Sequence, residues 1–144
     1  MAEPISVIAS ITGLLAVTAK VAALAKEHIQ KERNAPSSMS NVLQEMSDLS
    51  MCLTQLHPFI QGTRTLPRPQ RAAISCDQLV VIMSSSVVNL AKLEEIMDTF
   101  QTSQPLSVSN RVRWTRRETE VTELLTRIRA SRSSLNLMLT IFNW

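Results

Sequence analysis

Apolar residues fall along this chain at alternating spacings of three and four, with polar positions between them. Met39, Val42, Met46, Leu49, Leu53, Leu56 and Ile60 keep that rhythm without a break. Leu79, Ile82 or Met83, Ser86, Leu90, Leu93, Met97 and Phe100 repeat it, as do Val121, Leu124, Ile128, Ser131, Leu135, Met138 and Phe142. Such a period marks helices that turn one face to a common seam, and no stretch of useful length alternates as a half-buried strand would. With the apolar opening MAEPISVIASITGLLAVTAKVAALAKEHIQKER, the pattern predicts four helices, near 4–33, 37–62, 72–102 and 110–143.

The breaks between them follow from local chemistry. Asn34, Ala35 and Pro36 end the first helix, and Ser37 or Ser38 can cap the second. Gly62 supplies a stop, TRTLPRPQ at 63–70 is a loop with two prolines, and Ser103, Gln104 and Pro105 break the third helix. Four long helices joined by short polar connections pack antiparallel. The expected fold is therefore an all-α, up-and-down bundle over 1–144 as a single domain, with room for one extra short helix. No internal repeat stands out beyond the shared seam.

Composition sharpens this. At 144 residues, with 44% apolar residues and only two glycines, the chain is neither disordered nor rich in the turns an all-β protein needs. Aromatic residues make up 3% and Tyr is absent, so the core must be built from Leu, Ile, Val, Met and Ala. The methionines at 39, 46, 83, 97 and 138 lie on seams, where packing explains them without a ligand. Cys52 and Cys76 make no disulfide framework, and reduced thiols of a cytosolic protein fit them better.

The first helix is unusual. No charge occurs from Pro4 to Ala19, and Lys20 is the only one before Lys26. A secretory signal would start with basic residues, whereas here Glu3 leads. A permanent transmembrane helix needs about 20 strongly apolar residues, and Ser6, Ser10, Thr12 and Thr18 dilute this stretch. The default expectation is a helix apolar nearly all round and buried in the bundle, with Pro4 in its first turn and Glu3 at the positive end of its dipole. Such a helix stands near the threshold for entering a membrane.

Catalytic chemistry is hard to find. Gly13 and Gly62 are isolated, which excludes a phosphate-binding loop of the GxxxxGK type. His28 and His57 have no partner at metal-ligand spacing and read as exposed or helix-end histidines. Glu94, Glu95 and Asp98, and likewise Glu118, Glu120 and Glu123, read as solvated helix faces rather than acid–base pairs. The expectation is no enzyme activity, no catalytic or metal site and no cofactor.

Charge is uneven. Residues 103–144 hold seven Arg against three Glu and no Lys, while the rest of the chain is nearly balanced. Arg111, Arg113, Arg116 and Arg117 are candidates for contact with anionic phospholipid, beside the plainer reading of a solvated face. Trp114 stands among them, but one aromatic residue is a poor platform for stacking bases, and packing at the bundle end under an Arg explains it better. Nucleic acid is not an expected partner.

Both ends of the chain resemble one family. Glu3-Pro4-Ile5, then Gly13-Leu14-Leu15, then the small-residue run from Ala16 to Lys20 resemble the opening of fungal HeLo-like domains. The close RVRWTRRETEVTELLTRIRASRSSLNLMLTIF, at 111–142, resembles that family's last helix, with a basic-Trp entry and a Ser-Leu-Asn-Leu-Met-Leu ending. Residues 34–110 agree in helix pattern more than in identity. HeLo-like domains stand at the N-terminus of fungal STAND (NLR-type) immune receptors, and are similar to the HeLo domain of the HET-S prion system and the four-helix bundle of the necroptosis pseudokinase.

The resemblance implies a cell-death effector, cytoplasmic at rest, which oligomerises on an upstream receptor or amyloid-type signal and then inserts its N-terminal helix into the plasma membrane. It places insertion on Glu3, Ile5, Val7, Ile8, Ile11, Gly13, Leu14, Leu15 and Val17. The glycine-zipper pattern of many relatives is missing, since Gly13 is the only glycine in this helix. Small-residue spacing rests instead on Ala9-Gly13 and Ala19-Ala23. The apolar close LTIFNW reads as the edge of a domain at the N-terminus of a longer protein. The rival expectation is a helical module for protein–protein contacts that never enters lipid.

Overall fold

A computed structural model of the chain describes Pro4–Lys31, Ser37–Gly62, Cys76–Gln101 and Val108–Phe142, with side-chain burial for 9–30, 37–58, 78–99 and 114–140. These four segments are helices, named α1 to α4 in that order, and the described residues contain no strand and no additional short helix. Pro4 opens α1 where its missing N–H costs no hydrogen bond. The seam residues form the core: Met39, Val42, Met46, Leu49, Leu53 and Leu56 of α2 meet Leu79, Met83, Leu90, Leu93 and Met97 of α3 and Val121, Leu124, Ile128, Leu135 and Met138 of α4. From α1 come Ile11, Leu14, Val21, Leu24 and Ala25. Ile60, Phe100 and Phe142, expected on the seams, lie outside the residues whose side chains are described.

Helix directions follow from particular contacts. His28, near the end of α1, stacks on Trp114 at 6.2 Å between ring centroids. Trp114 in turn donates to Ser38 at the start of α2, so α1 and α2 run oppositely. Ser10 shares a cleft with Val80, Met83, Ser84 and Val87, while Lys20 binds Glu94 and Asp98, so α1 and α3 run the same way. Gln78, Val81 and Ile82 face Ser134, Leu137 and Met138, which makes α3 and α4 antiparallel. The directions alternate up-down-up-down, as expected.

The neighbour relations add what periodicity does not hold. α1 packs on α2 and α3, and α4 packs on α2 and α3, so α2 and α3 occupy diagonal corners. Two of the four adjacent pairs, α1 with α3 and α2 with α4, are therefore parallel. The chain between α2 and α3 joins diagonal corners of the square instead of adjacent ones.

Polar groups in the core are accounted for. Glu45 is 3% exposed in its side chain and accepts from Arg132 Nε at 2.7 Å and Arg129 Nε at 3.3 Å. Ser86 donates to the Ile82 carbonyl one turn back. No buried side-chain nitrogen or oxygen among the described residues lacks a partner, the condition for burying them without a large penalty.

Candidate functional site: the N-terminal helix

As a corner helix, α1 can bury only the arc that faces α2 and α3. Ile11, Leu14, Thr18, Val21, Leu24 and Ala25 fill that arc, while Leu15, Val17 and Ala22 pack at its edges. The outward arc is exposed and small: Ala9, Ser10, Thr12, Gly13, Ala16, Ala19 and Ala23, with Lys20 among them. The expectation of a helix buried all round is thus corrected. Up to Lys20 that arc carries no charge because alanine, glycine and small hydroxyl residues line it, and small side chains carry too little apolar area to need covering.

The candidate insertion residues divide accordingly. Ile11 and Leu14 are in the core, Leu15 and Val17 are half-buried, and Gly13 is exposed. Ile5, Val7 and Ile8 lie on the first turns of α1, where side chains are not described, and Glu3 falls outside the described residues. The stretch Ala9–Gln30 is 22 residues long, and long and apolar enough to cross a membrane by length and composition.

Two polar residues set how firmly α1 is held. Thr18 is buried, yet its Oγ1 donates to the Leu14 carbonyl of the same helix at 2.6 Å. That bond would travel with the helix and ties it to nothing else. Lys20 is tied: its Nζ reaches Glu94 Oε1 at 2.6 Å and Asp98 Oδ2 at 3.4 Å, both on α3. The hydrogen bond that Lys20 donates to Glu94 holds its pKa above the ordinary lysine value, against a smaller loss of solvation. These groups are substantially open to water, so the tie is screened by salt.

The arginine set stands elsewhere. Arg116 and Arg117 are exposed near the start of α4, and Arg117 pairs with Glu120 at 2.9 Å. Arg111 and Arg113 are on the first turns of α4, where side chains are not described. Because α4 runs against α1, this set lies at the end of the bundle where α1 finishes, far from its charge-free start. The structure does not bring the two candidate sets together. Trp114 is 3% exposed and closes that end between His28 and Ser38, so its indole is a packing element.

Sequence reasoning missed the Glu45–Arg129–Arg132 cluster that joins α2 to α4. Its signal was Glu45 at one step from the seam, between Val42 and Leu49, where only a paired carboxylate can be buried. Cys52 is a free, buried thiol, and burial pushes its pKa up to about 11. Among the described residues no three His, Cys, Asp or Glu side chains converge as a metal site. The chain matches no family model, no curated protein and no solved structure.

Proposed function

We propose that this chain is a membrane-targeting effector domain of the HeLo-like, cell-death-signalling kind, whose α1 enters the plasma membrane once copies are clustered by an upstream signal. The observation that carries the reading is α1 itself. It is a largely apolar stretch of 22 residues at a corner of the bundle, with small side chains and Lys20 on its outward arc, and the solvent-accessible contacts of Lys20 with Glu94 and Asp98 are among its polar ties. A helix held in this way exchanges one apolar environment for another on entering lipid, and a two-state element needs such near-balance. In this reading the resting protein is cytoplasmic, and activation is homo-oligomeric.

Dye release from liposomes, with and without anionic lipid, tests this. Leu14 is buried, so a charge there would unfold the bundle; Ala16, exposed and near the middle of the apolar run, is the better position. Ala16→Asp should melt like the parent and release little dye, because an acidic residue at the centre of an inserted helix costs about 2.5–3.5 kcal/mol. Equal leakage from parent and variant would show that α1 is not the inserting element.

The second reading, a helical protein–protein module, is favoured by a cleft of about 480 Å³ between α3 and α4, lined by Val81, Ile82, Leu137 and Met138 with Gln78 and Ser134. It requires a folded chain that releases no dye at any lipid composition.

A further inference from the structure

α3 turns Leu79, Met83, Leu90, Leu93 and Met97 into the core. On its opposite side stand Val81, Ser84, Ser85, Val88, Lys92 and Glu95, all exposed. Val81 and Val88 are seven residues apart, two helical turns on one stripe, and are 68% and 54% exposed. Single exposed apolar residues are ordinary, but these are not scattered. Four of the five large apolar residues exposed among the described residues border this face. Val87 lines the cleft toward α1 and Leu137 the cleft toward α4, whereas Met51 stands alone on the diagonal helix α2.

The stripe is symmetric along the sequence. Val81 and Val88 lie at equal distances on either side of the Ser84–Ser85 step, and farther out so do Asp77 and Lys92. In a pair of antiparallel helices, positions equidistant from the crossing point lie opposite each other. A two-fold contact between identical chains has the same reciprocity, residue i meeting residue j while j meets i. Two copies of α3 crossing at Ser84–Ser85 therefore set Val81 against Val88 of the second copy twice over. The same crossing brings sequence positions 77 and 92, an acid and a base, opposite each other twice. Serine at the crossing lets the helix axes approach closely, because the side chains at the contact set the interaxial distance.

We propose that this chain pairs with a second copy of itself through the outer face of α3, antiparallel and two-fold, with Val81 and Val88 at the centre of the contact. Charge chooses both the occupant and the direction. A parallel pair would stack Lys92 on Lys92 and Glu95 on Glu95, and like charges set against each other oppose association. The antiparallel pair offers an acid to Lys92, which makes no ion pair among the described residues. A lipid surface or an unrelated protein does not call for apolar and charged positions disposed about one point of a single helix. The contact is one helix face, about 22 Å from Asp77 to Lys92. That is the small end of protein interfaces, so pairing is weak and depends on concentration. It needs no membrane and no movement of α1, and so goes beyond the function proposed above.

The experiment is sedimentation equilibrium of the full chain in lipid-free buffer over a range of concentrations, which should show monomer and dimer in exchange. Val88→Asp changes an exposed position and spares the core; it should raise the dimer Kd about tenfold or more, the scale of losing a buried valine. Met51→Asp, on the diagonal helix, should leave the Kd unchanged. Lys92→Asp should raise it about fivefold, the scale of two exposed ion pairs turned repulsive, and adding Asp77→Lys should restore it. Thermal melts followed by circular dichroism establish that each variant is folded. In a Cys76→Ser background, oxidation should join a Val81→Cys chain to a Val88→Cys chain and neither to itself, since like positions stand about 10 Å apart along the helix axis. A parent monomeric at every concentration would overturn the proposal, as would a dimer indifferent to Val88→Asp, or Val81→Cys joined to itself as readily as to Val88→Cys. So would binding to phosphatidylcholine vesicles that Val88→Asp abolishes in a protein that stays monomeric, which would give the face to lipid.

Discussion

Arg132 on α4 places its Nε 2.7 Å from a carboxylate oxygen of Glu45 on α2, at a point where Glu45 is almost wholly removed from water. Arg129 reaches the other oxygen at 3.3 Å but is itself 56% exposed. The pair fixes the contact between two parallel helices, and the two arginines should differ in weight. Arg132→Ala should cost about 2–3 kcal/mol, the low end for breaking a buried pair because Arg129 still touches the acid. Arg129→Ala should cost well under about 1 kcal/mol, as exposed pairs do. Urea titrations of both variants check the ranking, and equal losses would contradict the geometry.

Ser38→Ala should be more damaging than a surface serine change. It leaves the buried Trp114 N–H, which donates to Ser38 Oγ at 2.9 Å, without its acceptor. An orphaned buried donor costs about 1–3 kcal/mol. Thermal melts, with Trp114 emission followed in a Trp144→Phe background, would show both the loss of stability and a loosened indole.

Seam positions should outweigh charged ones. Leu53 and Leu93 are fully buried, so Leu53→Ala or Leu93→Ala should each cost about 2–5 kcal/mol. Glu94→Ala, which removes an exposed partner of Lys20, should change the melting temperature little. Comparable shifts for all three would mean that the core is elsewhere.

Cys52 should resist thiol reagents in native protein and react only as fast as the chain opens, measured in a Cys76→Ser background. Its thiol is buried and its pKa is raised from 9.0 to about 11, chiefly by loss of solvation and against the pull of Arg132. A raised folded-state pKa means that the unfolded chain loses its proton first as pH rises. The stability tied to this thiol is complete below about pH 9 and disappears between there and about pH 11. Cys52→Ala should flatten that part of the stability–pH curve.

Much of the fold was legible because a three–four rhythm reports which face of a helix is buried. Met39 to Leu56 read correctly from spacing alone, and α2 runs over 37–62 as the sequence predicts. What spacing does not report is which helix covers that face. The diagonal placement of α2 and α3, the burial of Glu45 and the partners His28 and Ser38 of Trp114, whose place at the bundle end the sequence does suggest, all depend on neighbours. α1 shows the same gap from the other side. Its string of apolar and small residues predicts burial all round, yet hydropathy does not distinguish an alanine turned to solvent from one in a core.

Gly13 sits on the outward arc of α1, and a methyl group added there would meet nothing within 4 Å. A glycine in a helix interior is about 1 kcal/mol less favourable than alanine. Gly13→Ala should therefore yield a more heat-resistant protein with the same fold, as a calorimetric scan would register. A library of variants sorted for thermal survival alone would drift away from glycine at this position. The same library sorted for what the protein does in a cell would reveal whether glycine is retained there, and the divergence between the two sequence profiles would measure a demand on α1 that the resting architecture does not impose.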